Sequence, residues 1–192
     1  MARHKEFDRD EALQKAMEVF WARGYEAASM QNLVEHMGIN RQSLYDTFGD
    51  KHSLYLQALD RYQEIESRKL FELLSKPGPV KKAIRQLFTD LIEGSLCDNQ
   101  HRGCLMNNAM SELAGRCAAT AEKTRGNMAA IEDAFYSALL RGRKQGELNV
   151  RDLRAVARFL YNSFQGLVLM SKATRDRKTL EDVVKVTLSV LD

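Results

Sequence analysis

The residues best suited to chemistry in this chain fall in two places. On the short helix expected from Arg41 to Thr47, the side chains of Arg41, Gln42, Tyr45 and Asp46 share a polar face, while Leu44 and Phe48 point to the other side. A narrow face of this kind fits the major groove of DNA, where Arg suits guanine O6/N7 and Gln suits adenine N6/N7. The second place is His101-Arg102-Gly103-Cys104, where a thiol follows a glycine at an expected helix start beside two basic side chains. Helix N-termini and nearby cations favour the thiolate, so Cys104 is a candidate reactive thiol. The alternative for Cys104 is a small buried hydrophobe. Cys97 and Cys117 have no comparable sequence setting and are read as structural. No CxxC pair and no histidine at metal-finger spacing accompanies the three cysteines, so neither a metal site nor a cofactor is expected.

The elements that must position these groups are helical throughout. Strong helix formers dominate and the 192 residues contain only two prolines, Pro77 and Pro79. Leu13, Ala16, Met17 and Phe20 give the first helix its apolar stripe, with Asp8 as N-cap, Glu11 as its capping-box partner and Gly24 as stop. Ser29 caps a second helix carrying Leu33, Val34 and Met37, which must end at Gly38. Asn40 caps the third, and Asp50 with Ser53 begins a long helix reaching Ser75. The PGP at 77–79 breaks the chain, and further helices are expected at 80–97, 104–114, 118–144, 152–174 and 179–191. The fold class is therefore all-α, with a three-helix helix-turn-helix over residues 1–50 and a larger helical domain over 51–192.

Charge does not by itself point to nucleic acid. The net charge is +3, yet residues 1–55 hold seven Lys/Arg against nine Asp/Glu, so any DNA affinity must come from local placement. Arg3 and Lys5 are a weak candidate for a basic arm. No apolar run approaches the length of a bilayer span, and the polar start lacks a signal-peptide core, so a cytoplasmic protein without a membrane partner is expected.

The stretch EALQKAMEVFWARGYEAASMQNLVEHMGINRQSLYDTFGDKHSLYLQAL resembles the N-terminal domain of the TetR/AcrR family of transcriptional regulators. The resemblance rests on Phe20-x-x-x-Gly24 with Tyr25, the Ser29 cap, the Gly38-Ile39-Asn40 turn, Leu44-Tyr45-x-x-Phe48 and Lys51. It implies a dimeric, mostly repressing DNA-binding protein and no enzyme, whose divergent C-terminal domain binds a small inducer. Carried over by position, Ser29, Tyr45 and Lys51 would touch the DNA backbone and Arg41, Gln42 and Ser43 would read bases. Asp46 departs from the basic or aromatic residue more usual there, and its role stays open. The segment HRGCLMNNAMSELA also resembles a branch that includes regulators responding to reactive electrophiles.

For the inducer, the expected lining is Phe88, Cys104, Met106, Asn107, Met110, Phe135, Tyr161 and Gln165, adaptable apolar groups beside a few polar ones; the alternative for each is ordinary core. Two stripes, Val156, Phe159, Leu160, Ser163 and Leu167, then Leu180, Val183, Val184, Thr187, Leu188 and Leu191, are candidates for a homodimer interface or for packing within the chain. A two-fold dimer would read a palindromic operator. The rival readings are a helical thiol redox protein using Cys104 and an activator of the same family.

Overall fold

In the computed structural model, which describes residues 7–98 and 101–192, the described residues form helices joined by short loops. The basic arm expected at Arg3 and Lys5 lies outside them. The helices are α1 (Arg9–Arg23), α2 (Met30–Met37), α3 (Arg41–Phe48), α4 (Lys51–Tyr62), α5 (Arg68–Ser75), α6 (Val80–Cys97), α7 (Leu105–Leu113), α8 (Ala118–Lys144), α9 (Leu153–Met170) and α10 (Arg177–Leu188). A π-helical turn, Gln63–Ser67, links α4 to α5, so the long helix expected from 51 to 75 is interrupted where one turn is widened.

Local chemistry sets the boundaries. Asp8 accepts from the amides of Asp10 and Glu11, while the Glu11 carboxylate pairs with Lys15 at 2.7 Å. Ser29 and Asn32 satisfy each other's backbone amides in a complete capping box, and Gly38 ends α2 in the left-handed conformation at φ 70°. Asn40 caps α3 through the Ser43 amide, and Asp50 caps α4 through that of Ser53. The amide bonds made to Asp50 hold its carboxyl below the usual range.

The chain forms two compact units. The first comprises residues 1–65 together with 105–124, and the second 66–104 together with 125–192. Compactness thus groups the chain otherwise than the division expected near Asp50, because α4 packs along α1 and α7 packs against both. In the first unit Ala16, Phe20, Leu33, Leu44, Leu54 and Leu59 are fully or almost fully buried. Phe20 and Tyr55 meet edge to face at 4.9 Å between ring centroids.

The second unit has its own core, built around Ile84, Phe88, Phe135, Leu139, Leu160, Leu167 and Leu180. Most of the two stripes weighed for dimerisation are spent here: Leu160, Leu167, Leu180, Val184, Thr187, Leu188 and Leu191 are buried inside the chain. Among the described residues no helix is long and apolar enough to cross a membrane.

Candidate nucleic-acid interface

The reading face is made by what α3 does not bury. Leu44 and Phe48 point inward with Leu33 and Met37 of α2, and this packing fixes the rotation of α3 about its axis. Arg41, Gln42 and Asp46 are then exposed on the opposite face, and Ser43 is half-buried beneath its cap. Tyr45 is 42% exposed, which places it on the open face rather than beside Leu44 in the core. The Gln42 amide donates to the Asp46 carboxylate at 2.8 Å, an i,i+4 bond along the helix. Asp46 thereby fixes which way the amide of Gln42 points.

The flanking contacts are equally local. Ser29 is exposed at the start of α2 with its hydroxyl on the Asn32 amide. The Lys51 ammonium lies 4.4 Å from the centre of the Tyr25 ring and 3.5 Å from the Glu26 carbonyl oxygen. Gln57 of α4 donates to the carbonyls of Phe48 and Ser53, tying the end of α3 to α4, and accepts from Arg9 at 2.6 Å. The Arg9 guanidinium also stands 5.3 Å from the centre of the Phe48 ring.

The loop between α1 and α2 is held from elsewhere in the sequence. Glu112 of α7 accepts from the backbone amides of Tyr25 at 2.9 Å and Glu26 at 2.8 Å. Gly24 makes room for it: the residue sits at φ 78°, and a Cβ there would lie 3.0 Å from the Glu112 carboxylate. Burial first, then the charges of Glu26, Asp50 and Cys117, raises the Tyr25 phenol above its ordinary value. Neither Glu112 nor Arg9 was singled out from sequence, since contacts 87 and 48 residues apart leave no periodic signal.

The residues expected to line an inducer site divide between the units. Met106, Asn107 and Met110 belong to the first; Phe88, Cys104, Phe135, Tyr161 and Gln165 belong to the second. Phe88 and Phe135 are fully buried core, and Phe88 meets Phe164 edge to face. Met106 is buried and Met110 is exposed. Gln165 donates to the Tyr161 hydroxyl at 2.8 Å. Burial raises the Tyr161 phenol, the bond from Gln165 opposes that, and the charge of Cys104 adds to the rise. Cys104 is half-buried and directly precedes α7. Gly103 before it has φ 65°, and a Cβ there would come within 2.8 Å of the Lys172 side chain. Arg102 reaches Asp98 through its backbone amide and its guanidinium, and His101 lies 3.3 Å from Arg175. A separate open cleft of about 240 Å³ in the second unit is lined by Arg85, Glu93, Arg177 and Lys185 among others, and by none of the expected residues. Among the described residues no cluster of His, Cys, Asp or Glu has the makings of a metal site.

A capped two-helix reader with one buried and one polar face defines the class: a DNA-binding regulator of the helix-turn-helix type. Residues 12–58 match the profile of bacterial regulatory proteins of the tetR family, and residues 80–187 match that of the tetracyclin repressor-like C-terminal domain. The chain belongs to the TetR family of transcriptional regulators, which are not enzymes. It is 41% identical over 194 residues to the uncharacterized HTH-type regulator YezE of Bacillus subtilis, covering 100% of both chains. It is 30% identical to the transcriptional repressor ComR of Escherichia coli, covering 98% of this chain and 90% of that one. Among solved structures, a cysteine-substituted CifR complexed with 26-bp operator DNA superposes with a TM-score of 0.85 at 32% identity, covering 97% of this chain and 98% of the other.

Proposed function

We propose that the protein is a homodimeric repressor of a palindromic operator, released by a small molecule or by modification of Cys104. The observation that carries the DNA half is the exposure of Arg41 and Gln42 at the start of α3, with Asp46 orienting the Gln42 amide. In this reading Arg41, Gln42 and Ser43 meet base edges, while Ser29, Tyr45 and Lys51 hold phosphates. Support for repression comes from ComR, BdcR and DhaR, each named a repressor. The similar CifR was solved on operator DNA. Such a protein works in the compartment that holds the DNA, the cytoplasm.

The dimer is supported by apolar side chains that the second unit leaves outside its core. Phe159, Leu169 and Met170 on α9 and Val186 on α10 are exposed, at 42%, 67%, 37% and 68%. Phe159, Gly166 and Met170 follow helical spacing on α9, so one face can meet its two-fold mate. Two reading heads about 34–36 Å apart would then engage successive major grooves. Inducer binding or a Cys104 adduct releases DNA only by favouring a form in which that spacing is wrong. Cys104 beside Tyr161 is the proposed seat of the signal, with Phe88, Phe135 and Gln165 of the same unit as the proposed ligand residues.

The test is fluorescence anisotropy on fragments from upstream of the protein's own gene at low salt. Wild type should bind one fragment in preference to random DNA, and the Arg41→Ala/Gln42→Ala protein should lose that preference. Wild type that favours no fragment would remove the reading.

A further inference from the structure

The first unit contains a side-chain pair that DNA reading does not use. Cys117 stands directly before Ala118, the first residue of α8, and His52 lies in the first turn of α4. The His52 Nε2 is 3.0 Å from the Cys117 Sγ, and the Thr120 backbone amide donates to the same sulfur at 3.5 Å. Thr120 Oγ1 is fully buried and has no well-aligned hydrogen-bond partner. It lies against the sulfur, whose ionisation Thr120 favours more than any other neighbour does. A helix amide, a hydroxyl and an imidazole thus converge on one thiol that remains partly open to solvent. Thr120 first, then His52, brings this thiol from 9.0 down to about 7. Tyr25 stands beside His52, and the charged groups around the two are Glu26, Asp50, Lys51 and Glu112.

We propose that Cys117 and His52 form a reactive thiol site for α,β-unsaturated carbonyl compounds, and that the adduct weakens DNA binding. The second half rests on the operator reading; the first does not. In the addition, His52 takes the thiol proton and the sulfur forms a bond to the β-carbon. The electron pair of the carbon–carbon double bond moves onto the α-carbon and carbonyl as an enolate. His52 then returns the proton to the α-carbon, so nothing leaves and no oxidant is consumed. Addition needs neither a second thiol nor an oxidant, and Cys117 is the first unit's sole cysteine.

The route to DNA is short. His52 follows Lys51, and both lean on Tyr25: the ammonium at 4.4 Å and the imidazole at 6.1 Å between ring centroids. A carbonyl adduct on the sulfur displaces His52, and with it the turn that seats Lys51. The same α7–α8 segment holds the amides of Tyr25 and Glu26 through Glu112.

The experiment treats the full-length protein with methyl vinyl ketone between pH 5.5 and 9.5 and follows each cysteine by peptide-resolved mass spectrometry. Cys117 should gain one adduct with a rate midpoint near 7, and at pH 7 it should react about threefold faster than free cysteine, its thiolate fraction outweighing its lower nucleophilicity. In His52→Gln the midpoint should move up. Operator affinity is then compared before and after treatment in Cys104→Ser and in Cys104→Ser/Cys117→Ser, each against its own untreated sample. The first should weaken at least tenfold and the second should not. A Cys117 midpoint in the ordinary thiol range overturns the site, and full modification with unchanged affinity overturns the coupling. If untreated protein binds no operator, the repressor reading and the coupling fall together, while the rate profile still judges the thiol.

Discussion

A carboxylate on a DNA-facing helix is repelled by phosphate, so Asp46 must either accept from a base or act on a neighbour. In the proposed reading its bond to Gln42 supports the second role, because with one amide hydrogen committed to Asp46, Gln42 presents a defined edge outward. Asp46→Ala should relieve repulsion and free the amide. Overall affinity should hold or rise while discrimination at one operator position falls by about 1–3 kcal/mol, read from binding to a set of single-base operator variants. The i,i+4 spacing was visible in the sequence, but the choice between base and neighbour needed the rotamer. Cys117 offers a second prediction at this scale. Its thiol is depressed in the folded protein, so its ionisation adds stability that is complete above about pH 9 and lost as pH falls toward 7. The difference in melting temperature between wild type and Cys117→Ser should therefore grow from pH 7 to pH 9.

Among the elements, α7 does the least expected thing, since it braces the α1–α2 loop with a carboxylate. Glu112→Ala leaves the half-buried Tyr25 amide without its acceptor and should cost about 1–3 kcal/mol. At roughly 2–4 °C per kcal/mol for a chain of this size, thermal denaturation can read the loss. The helices themselves were legible. Val80–Cys97 and Ala118–Lys144 have the bounds expected, because prolines, glycines and caps are local signals. The reading helix was legible for the same reason, with Ser29, Asn40 and Asp50 all capping as expected. What could not be read was any pairing across long sequence separation: Glu112 with Tyr25, and Cys117 with His52. The stripes of α9 and α10 were ambiguous for a related reason. An apolar face has the same period whether it meets its own chain or another, and most of these residues proved to serve their own chain. The π turn at Gln63–Ser67 left no mark on the periodicity, which runs through it.

At the scale of the whole molecule, binding must be built on few charges, for the net charge is only +3 and the reading head is slightly acidic. Electrostatic binding is then a count of placed cations rather than a field. Lys51→Met should weaken operator and random DNA alike and lower the slope of log affinity against log salt by about 1 per bound subunit. Assembly is tested by the face that the second unit leaves uncovered. Phe159→Glu puts a charge among exposed apolar groups, so it should spare the fold of the subunit while sedimentation shows a monomer and tight operator binding disappears. Retention of a dimer would move the interface elsewhere.

The first unit is assembled from two separate stretches of chain, 1–65 and 105–124. A reading head copied from this protein into another regulator would therefore be incomplete if cut as one N-terminal piece: Tyr25 and Glu26 would arrive without the carboxylate that holds their amides, and His52 without its thiol. Chimeras should keep operator recognition only when both stretches travel together. In a lineage that exchanges its sensing half, residues 105–124 would be inherited with the head they brace rather than with the sequence around them.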